Sequence, residues 1–426
     1  MNQTIAARIR DTGGRTSGFD YLRIILSISV IIRHSTLISY GPAVDQNIWT
    51  GGMDMISHSI LPIFFALSGF LVAGSLDRCP TLISFYGLRT LRIIPALGIE
   101  VLLAAIVFGP MLSTLDLMSY VSQPQFRAYF LNIVGDIHYL LPGVFTNNPN
   151  PLKVNGQLWT VPYELQCYAA LGALVAIGIA KKRTLLLGVV ILGQGLWALE
   201  AYHRGAAGAA NGATGAVLVL SFLAGLLLYL YRDVIVLSRG IFIAAVASCI
   251  GLLLLAHGTY LISVPAAYIT VYLGLLNPGK VKYLFSGDYS YGIYLYGYPV
   301  QQVFASLGPW AHNWYLNLLV CLPVTFIVAY LSWTFVEKPT LALRRYLPKI
   351  ESTLTRGFNF HAPRIENVTT RLFSFCIFLT GLGSALLLLN ADEEMGLFTA
   401  ATCLLLLAAS SRYQTFCRSA NRAAVN

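Results

Sequence analysis

The sequence predicts an all-α polytopic membrane protein: a ten-span helical core followed by a C-terminal two-span hairpin. Three observations predict it. Only 11% of the 426 residues are charged and 56% are hydrophobic, where soluble domains hold about a quarter charged residues. Mean hydropathy is +0.67. Apolar runs of about 20 residues, the length that crosses a hydrocarbon core, recur along the chain.

Residues 1–18 are polar and lack an apolar centre, so they read as a cytoplasmic tail and not as a cleaved signal peptide. The core, residues 19–339, holds apolar segments near 20–39, 58–76, 93–111, 158–180, 184–200, 213–231, 240–257, 260–276, 289–307 and 315–335. The stretch 126–146 is ambiguous, because it carries Arg127, Asn132, Asp136 and His138. If it crossed, the run Lys181, Lys182, Arg183 would fall outside. If it does not, the basic residues collect on one side, with only Arg127, Lys153 and Arg204 opposite. Lys and Arg stay cytoplasmic, so residues 112–157 read as an outside-facing loop with an interfacial or re-entrant piece. Both termini then face the cytoplasm. A polar linker, 340–370, leads to an accessory hairpin at 371–410 and a tail at 411–426.

In this frame the net charge of +10 is a topology signal and points to a bilayer, not to nucleic acid. Cys167, Cys249, Cys321, Cys376 and Cys403 fall inside apolar runs, where a thiol behaves as a small hydrophobe. With no CxxC pair or His/Cys cluster, neither a disulfide framework nor a metal site is expected.

The first span carries Asp20, Arg23 and His34. A charge at mid-membrane costs about 2.5–3.5 kcal/mol on insertion scales, so ionisable groups there mark function. At about 100° per residue, Arg23, Ser27 and His34 lie about 60°, 20° and 40° from Asp20, on one narrow stripe. Arg33 points elsewhere and reads as a topological or packing residue. A histidine is the natural proton shuttle for activating a hydroxyl. Arg89 and Arg92, spaced i, i+3 before the third span, share a helix face and make a phosphate clamp.

The fourth span opens with Asn155, Gly156, Gln157, Leu158 and Trp159 and places Glu164 about one turn inside. That carboxylate could hold a histidine's tautomer or accept a hydroxyl proton, and Trp159 could stack on a sugar or anchor the interface. The ninth span opens Ser290-Tyr291-Gly292-Ile293-Tyr294-Leu295, an aromatic belt or a polar cavity wall. Residues 64–71, FFALSGFL, read as a helix with a small-residue notch for close packing.

Together these segments resemble the membrane-bound acyltransferase family 3. Its first span carries an arginine, ten residues and a histidine, as Arg23 and His34 do. Its FFALSGFL-like phrase, its paired arginines (Arg89, Arg92), its NxxLWxxxxE phrase (Asn155, Leu158, Trp159, Glu164), its SYxxYL phrase and its VEKP-like phrase at 336–339 all recur in order over residues 17–345. The chain departs at Gly297, where many members have histidine, and at Leu165, where many have a second acid.

The resemblance implies a bacterial inner-membrane O-acyltransferase that moves an acyl group, with acetyl the group expected, from acyl-CoA to a hydroxyl of a glycan or lipid-linked sugar. The donor phosphates would sit on Arg23, Arg89 and Arg92. Candidate catalytic residues are His34, Glu164 and Asp20, with His34 a general base or a transient acyl carrier. Candidate substrate contacts are Trp159, Asn155, Tyr163, Tyr291 and Tyr294. No metal is called for. The rival reading is a proton-coupled exporter of a sugar or small anion, with His34 and Glu164 as its relay. It is disfavoured by the absence of an inverted repeat.

Overall fold

Ten helices carry the ten apolar core segments in a computed structural model that describes residues 3–14, 16–79, 81–176, 182–204, 214–255, 258–281 and 287–350. The expected hairpin at 371–410, the tail and most of the linker lie outside the described residues.

In chain order the helices are α1 (Ile5–Asp11), α2 (Ser17–Tyr40), α3 (Pro42–Ile48), α4 (Gly52–Arg78), α5 (Leu82–Leu102), α6 (Gly109–Leu112), α7 (Leu117–Ser122), α8 (Pro124–Tyr129), α9 (Val161–Ala176), α10 (Arg183–Arg204), α11 (Gly215–Leu230), α12 (Arg239–Leu253), α13 (Ser263–Gly274), α14 (Ser290–Ala305), α15 (Trp314–Ser332) and α16 (Lys338–Ala342). Two short strands, β1 (Gln3–Thr4) and β2 (Val236–Leu237), pair antiparallel. Among the described residues, five helical stretches are long and apolar enough to cross a membrane: Ser17–Tyr40, Gly52–Arg78, Leu82–Leu112, Arg183–His203 and Trp314–Ile350. The protein is thus an all-α polytopic membrane protein, as the sequence predicts.

Without water to reward apolar burial, helices in a bilayer associate by close backbone approach. The FFALSGFL notch does this. A Cβ placed on Gly69 of α4 would run into the Phe222 carbonyl of α11, and one placed on Gly225 of α11 would run into the Ala66 carbonyl of α4. Gly18 of α2 meets the Leu273 and Leu276 carbonyls at the end of α13 in the same manner. α14 packs against both α2 and α15, which also touch each other.

The stretch 126–146 does not continue as a long helix. After α8 it makes a 3₁₀ turn, Phe130–Val134, which stops at Gly135 with φ of 88°. Asn132 folds the chain back: its amide donates to the Tyr129 and His138 carbonyls at 2.8 and 2.9 Å, and its oxygen accepts from the His138 N–H at 2.8 Å. The loop then runs over the end of α14 and is tied to it. The Gln302 amide donates to the carbonyls of Asn150 and Lys153, both at 2.8 Å. Asn150 donates to the Tyr298 hydroxyl at 2.6 Å.

Candidate active site

The candidate site is built from one end of α2, α4, α5, α9 and α14. Ring stacking of Phe19 on Phe70, with centroids 5.5 Å apart, sets the N-terminal end of α2 beside the C-terminal end of α4. The Ser27 hydroxyl donates to the Arg23 and Ser290 carbonyls, each at 2.9 Å, which ties α2 to the start of α14. Thr81 caps α5, its Oγ1 accepting from the Ser84 N–H at 3.2 Å. That cap fixes where Arg89 and Arg92 emerge.

Three guanidiniums converge there. Arg92 meets Asp288 Oδ2 at 2.9 Å, and Arg23 meets the same oxygen at 3.5 Å. Ser290 Oγ donates to the other oxygen, Asp288 Oδ1, at 2.9 Å. Arg89 donates to Ser75 Oγ at 3.1 Å, and its buried Nε has no hydrogen-bond partner among the described residues. Burial alone would raise the Asp288 carboxyl, but the charges of Arg92 and Arg23 prevail and hold it down to about 2.

These residues border a cavity of about 780 Å³ of atom-free space, its open mouth included. Arg23, Arg89, Arg92 and Ser290 form one end. Leu61, Phe64, Phe65, Ser68, Leu71 and Val72 supply the α4 wall, and Thr160, Glu164, Tyr168, Tyr291 and Tyr294 close the remainder. From Leu61 to Val72 the α4 wall extends roughly 16 Å at the helical rise. The Tyr168 hydroxyl donates to Glu164 Oε1. The Tyr294 hydroxyl meets the Gln157 carbonyl at 2.8 Å and Thr160 Oγ1 at 2.6 Å, closing the end away from the arginines. Three cations, one lining carboxylate and an apolar wall suit a long ligand with an anionic head and an uncharged tail.

The structure thus brings together Arg23, Arg89, Arg92, Glu164, Tyr291 and Tyr294 of the sequence-derived residues. It sets the others apart. Asp20 pairs with Lys280 at 2.6 Å, outside the cavity. His34 lies further along α2 and meets Tyr298 edge-on, with ring centroids 5.0 Å apart. Tyr298 is four residues past Tyr294, so this contact stands about 6 Å beyond the cavity's closed end along α14. The partner shown for Glu164 is Tyr168, not His34. Asn155 donates to Glu100 at 3.4 and 3.5 Å, both side chains buried. Trp159 and Tyr163 pack on each other, with centroids 6.0 Å apart. A stripe along a 24-residue helix meets different neighbours at each level, which is why Asp20 and His34 do not join Arg23.

Two residues the sequence reading passed over matter here. Asp288 lies two residues before Ser290 in a segment read only for its aromatics. Glu100 sits near the end of α5, inside the apolar stretch Leu82–Leu112, and an acid inside a span is itself a signal. Arg33, read as a packing residue, ion-pairs with buried Asp45 at 2.9 Å, donates to Ser57 at 3.0 Å and stacks on Trp49.

A family model described as an acyltransferase domain matches residues 16–337. The chain belongs to the acyltransferase 3 family. "Nodulation protein 10" of Rhizobium leguminosarum bv. viciae is 29% identical over 365 residues, covering 79% of this chain and 96% of that protein. An "O-acetyl transferase" of Shigella phage Sf6 is 25% identical over 346 residues, covering 79% of this chain and 98% of the phage protein. No solved structure matches. Two departures within the acyltransferase 3 pattern now have a physical setting. A Cβ at Gly297 would meet Ile31 of α2 at 2.7 Å, so an imidazole there requires a smaller residue at 31 or a shifted α2. Leu165 packs over Gly135 of the 112–157 loop, so a second acid at 165 would face that loop.

Proposed function

We propose that this acyltransferase takes its acyl group, acetyl, from acyl-CoA and delivers it to a hydroxyl of a glycan or lipid-linked sugar. One observation carries the reading: three guanidiniums from two helices stand at the mouth of an apolar-walled cavity. The donor's phosphates would sit on Arg23, Arg89 and Arg92, as charge-assisted forks suit them. Its uncharged arm would run along Phe64, Ser68 and Leu71 toward Tyr294. The positive-inside pattern favours a cytoplasmic arginine end and a bacterial inner-membrane setting.

The acceptor would come from the opposite end, beside His34. There the imidazole takes the acceptor's hydroxyl proton as the oxygen attacks the thioester carbonyl. The tetrahedral intermediate collapses, the carbon–sulfur bond breaks, and the imidazolium returns the proton to the departing thiolate. A neutral ester and a free thiol result. For the two to meet, the thioester must pass the Tyr294–Thr160 closure, so those hydroxyls would turn toward the donor when it binds. The phage relative's name adds weight to an O-linked acetyl product.

The test is transfer from labelled acetyl-CoA in membranes carrying the full chain, with mass spectrometry of surface glycans. His34→Ala is expected to lower turnover by roughly 100- to 10,000-fold. Undiminished product from His34→Ala removes His34 from the reaction.

A further inference from the structure

The anion seat already holds an anion, and it belongs to the protein. Arg23 and Arg92 reach it from two different helices, and both touch a single atom, Asp288 Oδ2, at 3.5 and 2.9 Å. Asp288 comes from a third place, the segment leading into α14, where Ser290 holds its other oxygen at 2.9 Å. Each guanidinium has five N–H donors in a fork shaped for two acceptor oxygens, and the carboxylate offers each of them only one. The contact is neither sealed nor bidentate: the Asp288 side chain is 31% exposed, Arg23 19% and Arg92 32%.

Two like charges drawn this close need a counter-charge between them. A phosphate group is the better match, with more oxygens and more charge for the same two forks. Both cannot occupy the notch, because a phosphate beside Asp288 meets a like charge. Building on the donor reading above, we propose that Asp288 is an exchangeable counter-ion: it fills the Arg23–Arg92 notch while the donor is absent and is displaced by the donor's phosphates. Asp288 is then a positioning residue that keeps the notch formed and lowers donor affinity. The device has a chemical use. It screens the empty notch from smaller, less charged anions, and it competes with the spent nucleotide, helping it leave.

The experiment measures coenzyme A and inorganic pyrophosphate binding to the purified full chain in detergent, by calorimetry. Asp288→Asn removes the competing charge and is expected to bind both probes roughly two- to fivefold more tightly, the size of a partly exposed charge pair. Asp288→Ser carries the same expectation, and Asp288→Glu should bind like the wild type. Equal or weaker binding in the neutral variants overturns the proposal. So does failure of both neutral variants to fold where Asp288→Glu folds, since the carboxylate would then be a fixed strut. Coenzyme A binding that ignores Arg92→Ala removes the donor reading instead, while the pyrophosphate comparison still decides whether Asp288 gives way.

Discussion

The imidazole of His34 and the phenol ring of Tyr298 meet edge to face, with centroids 5.0 Å apart and planes at 81°. Tyr298 is itself held by the 112–157 loop, because Asn150 donates to its hydroxyl at 2.6 Å. The orientation of the candidate base therefore depends on a loop more than 100 residues away in sequence. Truncating Tyr298→Ala should free the His34 ring and lower turnover roughly tenfold, because a misplaced catalytic group loses effective concentration. Tyr298→Phe keeps the ring contact and should lose far less. Equal losses in steady-state transfer assays would place the effect in the hydroxyl.

Arg92→Ala should raise the donor KM roughly 10- to 100-fold, the scale of a hydrogen bond to a charged group. Arg92→Lys should recover part of that loss, since an ammonium keeps the charge but not the fork. Titration of acetyl-CoA at saturating acceptor reads both.

Only small side chains fit where α4 crosses α11. Gly69→Leu should prevent assembly, because the obstacle is the Phe222 backbone carbonyl and not a flexible side-chain tip. Loss of the monodisperse peak in size-exclusion chromatography of the solubilised variant is the expected result. By contrast Gly98→Ala, with nothing within 4 Å of an added Cβ, should elute normally.

The Glu100–Asn155 contact should separate geometry from charge. Glu100→Gln preserves an oxygen for the Asn155 amide and should leave the melting temperature near its wild-type value. Glu100→Ala strands that amide in a buried site and should cost about 1–3 kcal/mol. Thermal unfolding in detergent compares them.

The Asp288 carboxyl also sets a pH dependence. Its value in the folded protein, about 2, lies below the ordinary value of 3.8. Its contribution to stability is therefore fully present above the ordinary value and lost as pH falls through the lower one. The difference in melting temperature between wild type and Asp288→Asn should stay flat from about pH 5 to 8. It should shrink only as pH falls from about 4 toward 2.

How much of this was legible in the sequence follows from the range of each interaction. Apolar run length reports burial in lipid residue by residue, so each core segment falls on a helix. Arg89 and Arg92 could be paired on sight because i, i+3 spacing is local. The carboxylate that Arg92 shares with Arg23 lies 196 residues away, and no helical period links them. Likewise the stripe from Asp20 to His34 was geometrically right along α2, yet the neighbours that decide each residue's surroundings come from α14 and from the segments after α13 and before α14. Asp20 meets Lys280 and His34 meets Tyr298 for that reason. The notch at Gly69 was readable as a place for close contact, but not which helix would fill it.

The stitching of the 112–157 loop to α14 has an engineering consequence. Asn148, Asn150 and Lys153 are bound by Gln302 and Tyr298, and Gln157 donates to the Leu295 carbonyl at 2.6 Å. A graft of this loop alone into a relative would arrive without its docking partners and leave buried amides stranded. Chimeras that exchange this loop should therefore move residues 139–157 and 294–302 together, as one transplantable cassette.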